Sequence, residues 1–223
     1  RGYAWEKSPD GQIVHDANGM PQYINQLVNL GFTGDDWSFG IVNDLKYKNF
    51  SFSFVIDGRI GGKIYNGVED KMYEGGMHKK TASSFRDDAY TGNNTYLGNG
   101  VVVTSGAVSY DNQGNIVSDD RKFAPNTTNV NFIDWVFTTY TNGVDESVLY
   151  DRTFVKLREA MISYNVTPDV LKRTPFKSMS LSIVGRNLWM FTKVPFMDPD
   201  GYSGTNLAEP SYRNIGVNLN LKF

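Results

Sequence analysis

Residues 214–223 read NIGVNLNLKF. Apolar side chains recur at every second position, Ile215, Val217, Leu219, Leu221 and Phe223, while Gly216, Asn218, Asn220 and Lys222 fill the gaps. A period of two is the repeat of a β-strand with one apolar face. What that face touches decides the fold.

The same alternation recurs upstream. Trp37, Phe39, Ile41, Leu45 and Tyr47 take odd positions, and Phe50, Phe52, Phe54, Ile56 and Ile60 take even ones. Lys48-Asn49 between them has the length of a hairpin turn, so the two strands pair antiparallel. Met179, Leu181, Ile183, Trp189 and Phe191 mark a fourth strand. The third, within YDRTFVKLREAMISYNV, changes parity: Val155 and Leu157 are odd, Ala160, Ile162 and Tyr164 even. One face can hold both sets only if a residue is inserted near Arg158-Glu159, which predicts a β-bulge. The helix-forming run Leu157 to Met161 is the competing reading.

The connections alternate in length. Residues 1–36 carry SPDG and DANG turns, and the first joint is two residues. Residues 66–147 then form a very long joint, VTPDVLKRTPFK a short one, and TKVPFMDPDGYSGTNLAEP a medium one. The long joint contains VVVTS, a hairpin signal at Asn112-Gln113-Gly114, and KKTASSFRDDA, suited to a helical turn or two. In an up-and-down meander all long joints then fall at one end. Transmembrane β-barrels have this asymmetry, with long extracellular loops and short periplasmic turns.

The expected fold is therefore all-β: strands of a large antiparallel transmembrane barrel with an amphipathic wall. Residues 1–36 are expected as an extracellular loop, 37–65 as a barrel hairpin, 66–147 as a long extracellular loop with its own hairpin, and 148–223 as the last three strands. Phe223 then lies on the periplasmic side. Trp37, Phe39, Trp189 and Phe191 fall to an outer aromatic girdle, and Tyr47, Phe50, Tyr164 and Phe223 to a periplasmic one.

Composition excludes other classes. A net charge of −2 gives no basic field for nucleic acid. The chain has no cysteine, hence no disulfide, thiol nucleophile or thiolate metal site. His15 and His78 read as lone surface histidines. The tandem acids Asp35-Asp36, Asp87-Asp88 and Asp119-Asp120 read as solvated loop residues, and Asp198 and Asp200 as a Pro-Asp-Gly turn rather than half a calcium loop. No enzyme, no metal and no cofactor is expected. The polar parity of the strands supplies the lumen-facing candidates Asp57, Arg59 and Arg186. Trp135, Tyr140 and Tyr202 are the loop aromatics suited to touching substrate or a partner, with packing of the long loop on itself as the plainer role.

FVKLREAMISYNV, SLSIVGRNLWMFTKVPFMDPD and YRNIGVNLNLKF together resemble the C-terminus of SusC/RagA-type TonB-dependent outer-membrane transporters. LKYKNFSFSFVIDGRIGGKIYN and DGQIVHDANGMPQY resemble the hairpin and loop that precede it. A Gly-Arg-Asn-Leu strand, a Thr-Lys, an Asp-Pro-Asp loop and a final Phe follow the family order; GDDW stands where the family has a proline before the strand. The resemblance implies that the chain, which starts at Arg1, is the C-terminal part of a longer transporter whose plug and TonB-contacting segment lie elsewhere. It implies import of an oligosaccharide or peptide and a SusD-like surface lipoprotein on the long loops. The resemblance also implies that the terminal aromatic on the last strand serves as the pattern by which insertion machinery recognises outer-membrane barrels. The rival reading is a soluble β-sandwich glycan-binding module; a β-rich hydrolase is weaker, for want of a convergent carboxylate pair.

Overall fold

The computed structural model describes residues 1–201 and 211–223. The five alternating segments form one antiparallel sheet: β1 (Trp37–Tyr47), β2 (Phe50–Ile60), β3 (Phe154–Asn165), β4 (Ser178–Thr192) and β5 (Asn214–Lys222), each beside its neighbour in sequence. The β1–β2 turn is the expected pair Lys48-Asn49, with Tyr47 opposite Phe50 and Lys48 at φ 52°.

Register places the apolar series on one face. Leu45, Phe52, Ile162 and Ile183 follow one another across β1 to β4, and Val217 of β5 continues the row. These side chains stay exposed: Val217 is 70% and Ile215 73% accessible, values at which no second sheet covers them.

The ladder slips in β3 between Leu157 and Glu159, and Arg158 has no paired position. This is the bulge that the parity change predicts. A second irregularity lies opposite it. Leu157 pairs with Trp189 but Glu159 with Arg186, so Asn187 and Leu188 face the single Arg158. Asn187 takes φ 51°, a left-handed conformation that asparagine tolerates. Gly185 leaves the space into which Leu188 folds, since a Cβ there would sit 2.6 Å from Leu188 Cδ2.

Among the described residues, 33–64, 151–201 and 211–223 form the sheet unit; Arg1–Phe32 with Tyr65–Tyr150 form a second. The second unit is more helical than its turn signals predict. Helices α1 (Gly67–Glu74), α2 (Ser84–Tyr90) and α3 (Phe132–Val136, continued by a wider turn over Phe137–Thr141) accompany short strands. KKTASSFRDDA supplies a 3-10 turn, Lys79–Thr81, and most of α2, the helical turn or two expected of it. The Asn66 carboxamide accepts from the Glu69 N–H and so caps α1. VVVTS (Val101–Ser105) joins a small sheet with Lys122–Pro125 and Val14–His15, not the five-stranded one.

The expected hairpin forms between Val108–Tyr110 and Ile116–Asp119. Asp111 Oδ1 accepts from the N–H groups of Gln113 and Asn115 to close its turn. Arg121, its side chain 2% exposed, ties the hairpin's end to the N-terminal segment through Asp119 and Glu6. The Asp119 carboxyl is held down at about 2, mainly by that guanidinium.

Candidate functional site

Opposite the apolar face, the end of the sheet remote from the Lys48-Asn49 turn carries a concentrated ion network. Arg158, squeezed out of the ladder, donates Nε to Asp57 Oδ1 at 2.6 Å and Nη2 to Asp57 Oδ2 at 2.8 Å; Nη2 also lies 2.6 Å from Asp200 Oδ2. Lys156, 4% exposed, donates to Asp198 and, at 3.4 Å, to Asp200. Arg59 faces Asp35 at 3.4 Å and Asp200 at 3.7 Å. The Phe154 ring is fully buried between two of these cations, 5.9 Å from the Arg59 guanidinium and 5.3 Å from Lys156 Nζ.

Burial pushes the carboxyls of Asp198 and Asp200 up, yet both end below the ordinary range. Hydrogen bonds from Lys156 to Asp198 and from Arg158 to Asp200 hold them there. The segment Val194–Asp200 is thus clamped to β3, and its own Val194 and Met197 are buried. Asp198 and Asp200 serve ion pairs, and among the described residues no group of three or more potential metal ligands gathers.

The structure brings Asp57 and Arg59 into this one network through Asp200. Arg186 stands apart and pairs with Glu159 at 2.8 Å. Sequence named Asp35, Asp198 and Asp200 only as loop acids and Arg158 only as the bulge position, and it did not single out Lys156; the structure joins all five in ion pairs.

Trp135 and Tyr140 sit in the second unit against its core of Tyr73, Ala89, Phe132 and Val136. Tyr140 stacks on Tyr73 at 3.6 Å, and Trp135 lies 4.6 Å from Tyr96. Both rings pack the unit on itself. Tyr202 lies outside the described residues. The histidines correct their expected exposure: His15 is 3% and His78 2% accessible. Each is buried because an aromatic or glycine-lined wall closes over it. His78 stacks on Tyr73 with Nε2 3.6 Å from Glu69 Oε1, and His15 fills the space left by Gly98 and Gly100. Burial pulls both imidazoles below their usual pKa.

The sheet unit is thus an antiparallel meander, exposed and apolar on one face and ion-paired on the other, which places the chain among all-β proteins. No protein-family model matches the chain. Two TonB-dependent receptors of Formosa agariphila are similar along nearly all of it: one is 23% identical over 98% of this chain and 19% of its own length, the other 24% identical over 96% and 20%. The chain spans about a fifth of the length of these curated relatives. Among solved structures, the RagAB peptide transporter superposes with a TM-score of 0.55 at 14% identity, covering 100% of this chain and 22% of that one. The RagAB peptide importer in its closed-closed state gives 0.54 at 13%, also covering 100% and 22%. The structural likeness establishes the shared fold. The receptor matches make the chain similar to a segment of TonB-dependent receptors, which is the family resemblance that its motifs carry.

Proposed function

We propose that the chain supplies the C-terminal wall strands and extracellular loops of an importer for oligosaccharides or peptides. The apolar face of β1–β5 contacts lipid, and the polar face with Asp57, Arg59 and Arg186 lines the lumen. Residues 1–36 and 66–147 lie outside the cell, where a SusD-like lipoprotein docks, and Phe223 ends in the periplasm. TonB engages through residues beyond this chain. The proposal assigns it no catalytic step.

The observation that carries this reading is the exposed apolar row across all five strands, opposite a face whose charges are paired. A soluble β-sandwich would send that row into a shared core. A transmembrane strand faces lipid there and tolerates charge only on the lumen side. Because the chain has no cysteine, single-cysteine variants report cleanly. A polarity-sensitive maleimide dye on Val217→Cys should read as apolar after refolding into lipid vesicles, while the same dye on Asn218→Cys reads as aqueous. Equal signals from the two faces would overturn the wall assignment.

A further inference from the structure

The second unit carries a cleft of about 230 Å³, remote in sequence from the residues of the ion network. Tyr73, Phe132 and Val136 form its buried floor, and Tyr90 and Phe137 stand exposed at its rim. Among the described residues that line it, Arg86 is the cation. Arg86 Nη1 donates to the Gly76 carbonyl at 3.2 Å, and its guanidinium lies 5.9 Å from the Tyr90 ring. Thr81 donates to the same carbonyl at 2.9 Å, which pins the Gly75-Gly76 turn against α2. Gly76, at φ 64°, lets the guanidinium approach: a Cβ there would lie 3.2 Å from Nη2.

Arg86 therefore differs from the other arginines in the sites described above, each of which faces a carboxylate. Among the described residues, no carboxylate lies within ion-pair distance of it. Glu74, on the cleft wall, is paired with Lys71. A guanidinium has five donors in a planar fork matched to a carboxylate, and one of them is used here. Beside it, aromatic faces offer a platform for a flat apolar group.

We infer that this cleft binds a carboxylate attached to a ring or similarly flat apolar body, with the carboxylate on Arg86 and the body against Tyr90 and Phe137. A peptide or an acidic sugar would each present that chemistry. The inference goes beyond the import reading, because the cleft is complete within its own unit and would bind whether or not the sheet lies in a membrane.

The test is ligand-observed NMR titration of the full chain with hippurate and galacturonate, each against its uncharged counterpart, hippuramide and galactose. At least one carboxylate should bind ten-fold or more tighter than its neutral partner. Hippurate alone would point to a peptide source and galacturonate alone to an acidic sugar; both together would assign the shared chemistry. Arg86→Gln should abolish the preference. Should that variant misfold through loss of its bond to Gly76, Tyr90→Ala decides: its ring is 70% exposed, so folding is spared, and affinity should fall several-fold. Carboxylates binding no better than their neutral partners, or Tyr90→Ala binding as well as the parent, would overturn the assignment.

Discussion

Arg158 and Asp57 meet through two parallel hydrogen bonds, 2.6 and 2.8 Å long, where Arg158 is extruded from the β3 ladder. The bulge and the ion network are one feature, since the extra residue is the one that reaches both Asp57 and Asp200. Arg158→Ala should loosen the clamped segment, at a cost of about 1–2 kcal/mol given partial exposure of both partners. Arg158→Lys should recover little, because a point charge cannot form the paired bonds. Faster tryptic cleavage after Lys193 in both variants is the expected readout; an unchanged rate would detach the bulge from the clamp.

Lys156 poses the sharper case, being 4% exposed against Asp198 and Asp200. Lys156→Met leaves buried carboxylates without their partner and should cost about 3–5 kcal/mol, part of it regained in Lys156→Met/Asp198→Leu. Both acids are held below the ordinary carboxylate range, so their contribution is complete above pH ~3.9 and is lost as pH falls through the lowered values. Hydrogen exchange over 194–200 should stay flat from neutrality to pH ~4, after correction for intrinsic rates, and rise below it. A rise beginning near pH 6 would implicate another group.

How much of this was legible depended on what each insertion does to parity. One extra residue at Arg158 moves Ala160, Ile162 and Tyr164 from odd to even, so the bulge shows in the sequence. The irregularity at Asn187-Leu188 adds two residues relative to β2, returning Trp189 and Phe191 to the parity of Ile183, and is silent. The ion network was invisible for a related reason: Asp35, Asp198 and Asp200 lie in loops with no period to read. Of the second unit's helices, α2 was legible in KKTASSFRDDA, whereas α1 and α3 were masked by turn residues at their ends. The buried histidines needed tertiary contacts, His78 with Tyr73 and His15 with Gly98 and Gly100, that no local pattern carries.

Gly185, Asn187 and Leu188 give a prediction about that silent irregularity. Gly185→Val should crowd Leu188 and destabilise the sheet by about 1–3 kcal/mol, with Leu188→Ala in the same chain restoring part of it. Asn187→Gly should be tolerated at φ 51°, whereas Asn187→Val should not. Thermal unfolding in detergent measures both. Full additivity of the Gly185 and Leu188 changes would show that the two do not share that space.

Trp135 and Tyr140 separate a packing role from a contact role. Trp135→Ala and Tyr140→Ala should each cost about 2–3 kcal/mol in the second unit, less than fully buried aromatic truncations because both rings are only partly buried against its core. Acid should weaken the same unit. His15 and His78 titrate below their usual value when folded, so stability is complete above pH ~6.5 and declines as pH falls through the lowered values. Near-ultraviolet circular dichroism against urea at pH 7.5 and 5.5 checks both claims. Unchanged stability in the two alanine variants would return these rings to the surface contacts first considered.

Aromatic levels and orientation form the last prediction. Tyr47, Phe50 and Tyr164 fall in one row, with Phe50 and Tyr164 4.8 Å apart, and Phe223 packs 5.1 Å from Phe176 near the same end. Phe39, Gly58, Val155 and Phe191 share a row toward the opposite end; Trp37 begins β1 beyond it, and Trp189 lies in the adjacent row with Ile41. Ten residues separate Trp37 from Tyr47, which at ~3.3 Å per residue and the usual barrel tilt gives ~25 Å along the membrane normal, the height of an apolar band between girdles. On the proposed orientation, cysteine at Asn112 in the hairpin should react with an impermeant maleimide on intact cells expressing the protein. Cysteine at Lys48, in the two-residue turn, should react only after the outer membrane is permeabilised. Labelling of Lys48→Cys on intact cells with Asn112→Cys protected would invert the orientation, and labelling of both would remove the membrane from between them.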